Sequence, residues 1–203
     1  MNTKVERKER THASILASAA KLIREHGIVG ARVADVMQGA GLTVGGFYAH
    51  FPSKEGMVDE TLRQTGAEMR ERLFDGLERK PEADRAEVVL NRYLSAAHRD
   101  DTRRGCPLPA VIGEIGTTAP EHAPVLGAQV KGMADGLAPH LPEREGISSR
   151  HLALGLVAVM VGGLTLARAT RGSDLSNEML RACRALGRLA LGPSGHEATQ
   201  RKS

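Results

Sequence analysis

The chain has 203 residues, 41% of them apolar and 26% charged. That excludes global disorder and allows one globular body or one small and one larger domain. The formal net charge is +4, with 8 Lys/Arg against 4 Asp/Glu in residues 1–54 and 20 of each in the remaining 149. A positive balance confined to the first quarter favours a polyanion partner there, either nucleic acid or an anionic membrane.

Residues 5–26 read as an amphipathic helix, with Ile15, Ala19, Leu22 and Ile23 on one stripe and Gly27 at the stop position. A short helix is predicted over 33–40, with Val33, Val36 and Met37 on one face and Gly41 ending it. Thr43 then caps a second short helix through Phe47 to about His50. After the break at Pro52, Ser53 caps a longer helix over 54–77, with Glu55 suited to its dipole. A helix followed by two short helices around a tight Gly-containing turn is a helix-turn-helix pattern, though units this short also arise by chance.

Further helices are predicted over 84–99, 109–117, 125–138, from Ser148 or Ser149 to about 170, and over 176–191, with 192–203 as a polar tail. No β-alternation, repeat or low-complexity segment interrupts them, so the fold class is all-α. The most apolar run, residues 152–167, is sixteen long. That falls short of the roughly 20 residues needed to span a bilayer, which favours a buried helix. The two cysteines, Cys106 and Cys183, form no CxxC pattern, and the charged N-terminus has no apolar signal region behind it. Both point to a reducing cytoplasm.

The phrase VADVMQGAGLTVGGFYAHFPSKEGMV resembles the DNA-binding domain of the TetR family of transcriptional regulators. A short helix leads into Ala-Gly-apolar-Thr, then a recognition helix ending in Tyr-x-x-Phe, then Ser-Lys. The resemblance extends over about residues 5–62. Beyond them the match is architectural only. It implies an N-terminal three-helix helix-turn-helix domain at 1–54, a larger helical effector-binding and dimerisation domain at 55–192, and a tail at 193–203. Two departures stand out. Ala31 and Arg32 replace the usual Ser or Thr before the second helix, removing a hydroxyl cap worth about 1 kcal/mol. The recognition helix also opens Val44, Gly45, Gly46, with no long polar side chain for base edges.

Two glycines inside a helix cost roughly 1 kcal/mol each against alanine. Without side chains, that backbone can approach another surface closely, and the DNA major groove is the natural candidate; a plain loop is the competing reading. Phe47 and Phe51, four apart, read as core residues. Lys54 at a helix start makes a phosphate clamp. Thr43 serves as cap and DNA contact, Arg32 reaches a phosphate, and Val44 meets thymine methyls. By resemblance, Tyr48 donates its hydroxyl to a phosphate and His50 joins it; a solvated His50 is the alternative.

The resemblance also implies a dimer through helices 149–170 and 176–191, with Arg181, Arg184 and Arg188 at the rim. The competing reading is that both helices close the monomer's own core. An effector site is implied among the middle helices. With one Phe, one Tyr and no Trp outside the first domain, aliphatic, Met and small residues must line it. Candidates are Met69, Leu73, Tyr93, Ala97, Ile112, Met133, Met160 and Leu164. The GCP segment after Arg103 and Arg104 resembles a subset of such regulators with a cysteine there. That leaves Cys106 either as an electrophile or redox sensor or as an inert buried residue, while Cys183 reads as core or interface. No catalytic, phosphate-loop or dinucleotide motif occurs, and no two histidines stand at metal-ligand spacing. His122 and His140 read as solvated loop residues. No enzymatic activity, cofactor or metal is expected. The expected function is repression from a palindromic operator, relieved when a small molecule repositions helix 54–77.

Overall fold

The computed structural model describes residues 3–143 and 145–192; the predicted polar tail at 193–203 lies outside the described residues. Among the described residues the regular elements are all helical: α1 (Lys4–Gly30), α2 (Val33–Gly39), α3 (Lys54–Phe74), α4 (Glu82–Tyr93), α5 (Ala96–Asp100), α6 (Leu108–Ile115), α7 (Ala123–Leu137), α8 (Ser149–Ala169) and α9 (Asp174–Leu191). Short 3-10 helices stand at Val44–Ala49, Leu77–Arg79, Pro120–His122 and Ala138–His140. The chain divides into two compact units, one of residues up to Ala67 with Cys106–Gly127, the other of Glu68–Gly105 with the residues from Ala128 on.

In the first unit α1 begins with a capping box. The Thr3 hydroxyl accepts from the Glu6 amide at 3.3 Å, and the Glu6 carboxylate accepts from the Thr3 amide at 2.9 Å. The predicted stop at Gly27 is a kink instead. Gly27 has φ 73°, after which the helix resumes to Gly30. The Glu114 carboxylate of α6 accepts the Ile28 and Val29 amides at 2.5 and 3.2 Å, so the donors released by the kink are not orphaned. One core holds Ile15, Ala19 and Ile23 of α1, Val36 and Met37 of α2, Phe47 and Phe51, Met57 and Leu62 of α3, and Val111 and Ile115 of α6. Burial of each large apolar side chain stabilises by about 1.5–3 kcal/mol.

In the second unit α8 packs on α9, and α4 on α9. A Cβ at Gly163 would stand 3.1 Å from Cys183 Cβ, and one at Gly187 2.9 Å from Leu90 Cδ1, so glycine allows both close approaches. One predicted helix is interrupted. The helix expected over 84–99 is broken at Leu94 and Ser95; Ser95 Oγ accepts the His98 amide at 3.1 Å and restarts the chain as α5. Side-chain-to-backbone bonding of this kind competes with helix propagation and leaves no sign in apolar periodicity. The α8 helix runs 21 residues, with mean hydropathy 1.9 over its most apolar window. It is therefore long and apolar enough to cross a membrane, which corrects the length argument, but half of that window is buried inside the protein.

Candidate nucleic-acid interface

The turn after α2 is built by its glycine. Gly41 has φ 72°, the Leu42 amide donates to Met37 O at 2.9 Å, and the Gly41 amide to Gln38 O at 2.9 Å. This paired closure needs a residue in the left-handed region, which glycine enters without strain. The expected recognition helix follows as a 3-10 helix of six residues, Val44–Ala49. Gly45 and Gly46 favour α-helix poorly, and 3-10 bonding is common in pieces this short. Thr43 stands at the N-cap with extended backbone, but its hydroxyl makes no cap bond. The predicted capping role is therefore corrected, and Thr43 is exposed. Arg32 likewise precedes α2 without a side-chain cap, as the missing hydroxyl predicts.

The candidate contacts share one exposed stretch of the first unit. Arg32, Thr43 and Gly45 are exposed, Gly46 and Lys54 half-buried, while Val44 is 50% and Tyr48 76% exposed. Phe47 and Phe51 are buried, stacked at 5.6 Å, and Tyr48 meets the edge of Phe47 at 5.3 Å. The core pair thus holds the short helix while the tyrosine points out. Lys54 opens α3, whose Gly56 amide donates to Ser53 Oγ at 3.1 Å. Bonding to its own backbone amide and to Ser53 holds the Glu55 carboxyl below its usual range. His50 Nδ1 is buried without a hydrogen-bond partner. Burial, then the charges of His12 and Lys8, lower the His50 pKa and favour a neutral ring. His12 stacks on Phe51 at 4.4 Å and donates from Nε2 to Glu60 at 2.7 Å, bracing α1 against α3.

Sequence reading passed over the α1 side of this surface. A recess of about 530 Å3 is lined by Arg7, Arg10, Thr11 and Ser14 of α1 with Ala40 and Leu42 of the turn. The clustering of Lys4, Arg7, Lys8 and Arg10 at the start of the chain was the available signal.

The predicted effector residues do not gather in one place. Met69, Leu73 and Ala97 line one recess of about 460 Å3 in the second unit. Tyr93, Met133, Met160 and Leu164 are buried in that unit, whereas Ile112 and Cys106 belong to the first, Ile112 exposed and Cys106 buried. At 2% exposure the Cys106 thiol is closed to solvent, and the sensing alternative is not favoured. Cys183 is half-buried, and burial raises its pKa. The expectation for His122 is also corrected: it is buried, and its Nδ1 donates to Asp59 at 2.7 Å, joining the turn before α7 to α3. Arg184 and Arg188 are engaged within the subunit. Arg184 donates to Leu94 O, and Arg188 to Glu87 at 2.6 Å and Asn91 at 3.3 Å. Among the described residues no group of three or more His, Cys, Asp or Glu is placed to hold a metal.

A family model described as bacterial regulatory proteins, tetR family, matches residues 15–61, which hold most of this surface. An HTH-type transcriptional regulator of Mycobacterium tuberculosis is 27% identical over 188 residues, covering 82% of this chain and 90% of the relative. The HTH-type transcriptional repressor KstR2 of Rhodococcus jostii is 33% identical over 88 residues, 41% of this chain and 43% of the relative. The KstR2 of M. tuberculosis is 47% identical over 49 residues, 24% of each chain. Among solved structures, the reduced form of Escherichia coli NemR superposes with a TM-score of 0.78 at 20% identity, covering 92% of this chain and 99% of that one. The fatty acid degradation regulator FadR of Bacillus halodurans gives 0.65 at 15%, covering 89% and 94%. At these identities the two structures speak to fold alone.

Proposed function

We propose that this chain, which belongs to the TetR family of bacterial transcriptional regulators, is a cytoplasmic dimeric repressor that leaves a palindromic operator when a small molecule binds. One observation carries the reading: Gly45 is exposed and Gly46 only half-buried, in the same segment as the exposed Thr43 and Tyr48 and the half-buried Lys54. Repression itself rests on the name transcriptional repressor carried by the KstR2 relatives.

In this reading residues 1–54 read DNA and 55–192 bind effector and dimerise. The glycine backbone sits against the major groove. Arg32, Thr43, Tyr48 and Lys54 hold phosphates and set the register, and His50 adds a neutral donor. Val44 meets a thymine methyl, and DNA shape supplies the remaining selectivity. The dimer forms through α8 and α9, where Leu166, Leu175, Leu186 and Leu189 are exposed. Outside its own helix backbone, a Cβ at Gly155 or Gly162 would meet no described atom within 4 Å, which leaves space for a partner helix. The effector enters the second unit at Met69, Leu73 and Ala97, with Tyr93, Met133, Met160 and Leu164 reached as the helices part. Because α3 runs from the first unit into the second, a ligand that favours one of its placements shifts the spacing of the reading heads by its differential affinity.

The test is fluorescence anisotropy on duplexes from the protein's own upstream region, competed with random DNA. A specific site is expected to bind on the order of a thousand-fold more tightly than random duplex. Equal affinity for both would overturn the reading.

A further inference from the structure

The second unit holds an unusual set of arginines around α5 and the turn that follows it. Arg72 donates to the Arg104 carbonyl at 2.6 Å. Arg92 donates to Leu73 O at 2.9 Å and Asp75 O at 2.7 Å. Arg168 donates to Arg99 O at 3.3 Å and His98 O at 3.1 Å, and Arg171 to Arg99 O at 2.7 Å. A carbonyl oxygen satisfies an N–H donor but carries no net charge. Each such bond satisfies an N–H donor without itself neutralising the guanidinium charge. Carboxylates of the group include Asp100, paired with Arg99 at 2.8 Å and facing Arg171 at 3.6 Å, and Asp101, 3.5 Å from Arg104.

This field opens on the recess of about 460 Å3 that contains Met69, Leu73 and Ala97. Its volume is within the ~300–1,000 Å3 range of small-molecule sites. Met69 and Leu73 are buried and apolar, and Arg72, Arg92 and Arg104 stand around them with Asp101 as the acidic member of the lining. His98, also in the lining, contributes no positive charge near neutrality; burial pulls its pKa to about 4, and the neighbouring Arg168 and Arg72 add to the shift. The lining thus combines an apolar floor with three guanidinium groups and one carboxylate.

We propose that this recess binds an amphiphilic organic anion, with a carboxylate or phosphate head held by Arg72 and Arg104 and an apolar body laid on Met69 and Leu73. The inference rests on the effector-controlled reading above and gives the effector its chemical class. Arg104 is 82% exposed at its side chain, so it can turn onto an incoming head group. Arg72 supplies a guanidinium already fixed from one side.

The test uses the full chain and four probes of equal length: octanoate, octyl phosphate, octanol and octyltrimethylammonium, titrated by calorimetry. Octanoate or octyl phosphate is expected to bind at least tenfold more tightly than octanol, with no binding of the cation, and whichever anion binds more tightly identifies the head group. Arg104→Gln, on an exposed side chain, and Arg72→Gln are each expected to weaken anion binding about 10- to 100-fold, the range of a charge-assisted hydrogen bond. Arg72→Lys should recover part of the loss, which separates lost charge from lost fold. Octanol binding as tightly as both anions, or anion affinity unchanged in both Gln variants, would overturn the proposal. Operator binding measured on the same samples keeps the two readings apart. A protein that grips its operator but ignores both anions loses only the effector class; one that binds anions but no operator loses only the regulatory reading.

Discussion

A methyl group added at Gly45 meets no described protein atom within 4 Å, and one at Gly46 meets Met37 Cε at 3.7 Å. Packing within the subunit therefore does not demand glycine at either position. Gly45→Ala is expected to leave thermal stability unchanged or raised by up to about 1 kcal/mol while weakening operator affinity, a split that calorimetric melting and anisotropy would resolve. Weaker folding with unchanged DNA affinity would contradict it. Gly27 is the opposite case. Its φ of 73° is hostile to other residues, and a Cβ there would run into the Glu114 carboxylate. Gly27→Ala should cost about 1–3 kcal/mol in urea unfolding. His98 supplies a pH dependence. Its pKa is lowered from 6.5 to about 4 on folding, chiefly by burial. Above pH 6.5 it is neutral in both folded and unfolded chains and affects neither. As pH falls from 6.5 toward 4 the unfolded chain takes up a proton that the folded one refuses, so stability declines by on the order of 3 kcal/mol. Urea midpoints at pH 7.5 and 4.5 should show that decline, and His98→Gln should reduce it.

Among the elements, α6 carries the most informative bond. Glu114 takes up two amides released at the α1 kink. Glu114→Ala leaves those donors unpaired at about 1–3 kcal/mol, and hydrogen exchange at Ile28 and Val29 should accelerate while Glu114→Gln, which keeps an acceptor, retains protection. Apolar spacing announced α6 as a helix, but the role of Glu114 could not be read there, because its partners lie 86 and 85 residues away in the chain. Caps were more legible. Ser53 and Ser148 accept amides three residues on, at 3.1 and 3.2 Å, as local chemistry predicts. Thr43 departs from that rule although it stands at an N-cap. The break at Ser95 was missed because a serine inside an apolar pattern does not declare whether it faces solvent or bonds its own backbone.

For the whole molecule, the row of exposed leucines on α8 and α9 sets the assembly prediction. Leu189 is 76% exposed and Leu186 55%, apolar surface that a partner's matching face would cover in the proposed dimer. Leu186→Glu is expected to shift the sedimenting species from dimer to monomer and to abolish operator binding; a dimer that persists and still binds DNA would contradict that interface. Lys54→Gln should flatten the salt dependence of operator binding by about 1.8 log units per log unit of salt in the dimer, one phosphate per subunit.

Local pattern carried the sequence reading to the all-helical class, the glycine turn after α2, the buried Phe47 and Phe51 and the phrase that marks the family, because periodicity, capping and turn chemistry act over a few neighbouring residues. Three features depended on the chain folding back: Glu114 on the α1 kink, His122 on Asp59, and the arginines gathered on the carbonyls around α5. Each joins groups far apart in sequence, where neither partner's identity specifies the other. Burial and distance appear only once the helices have packed.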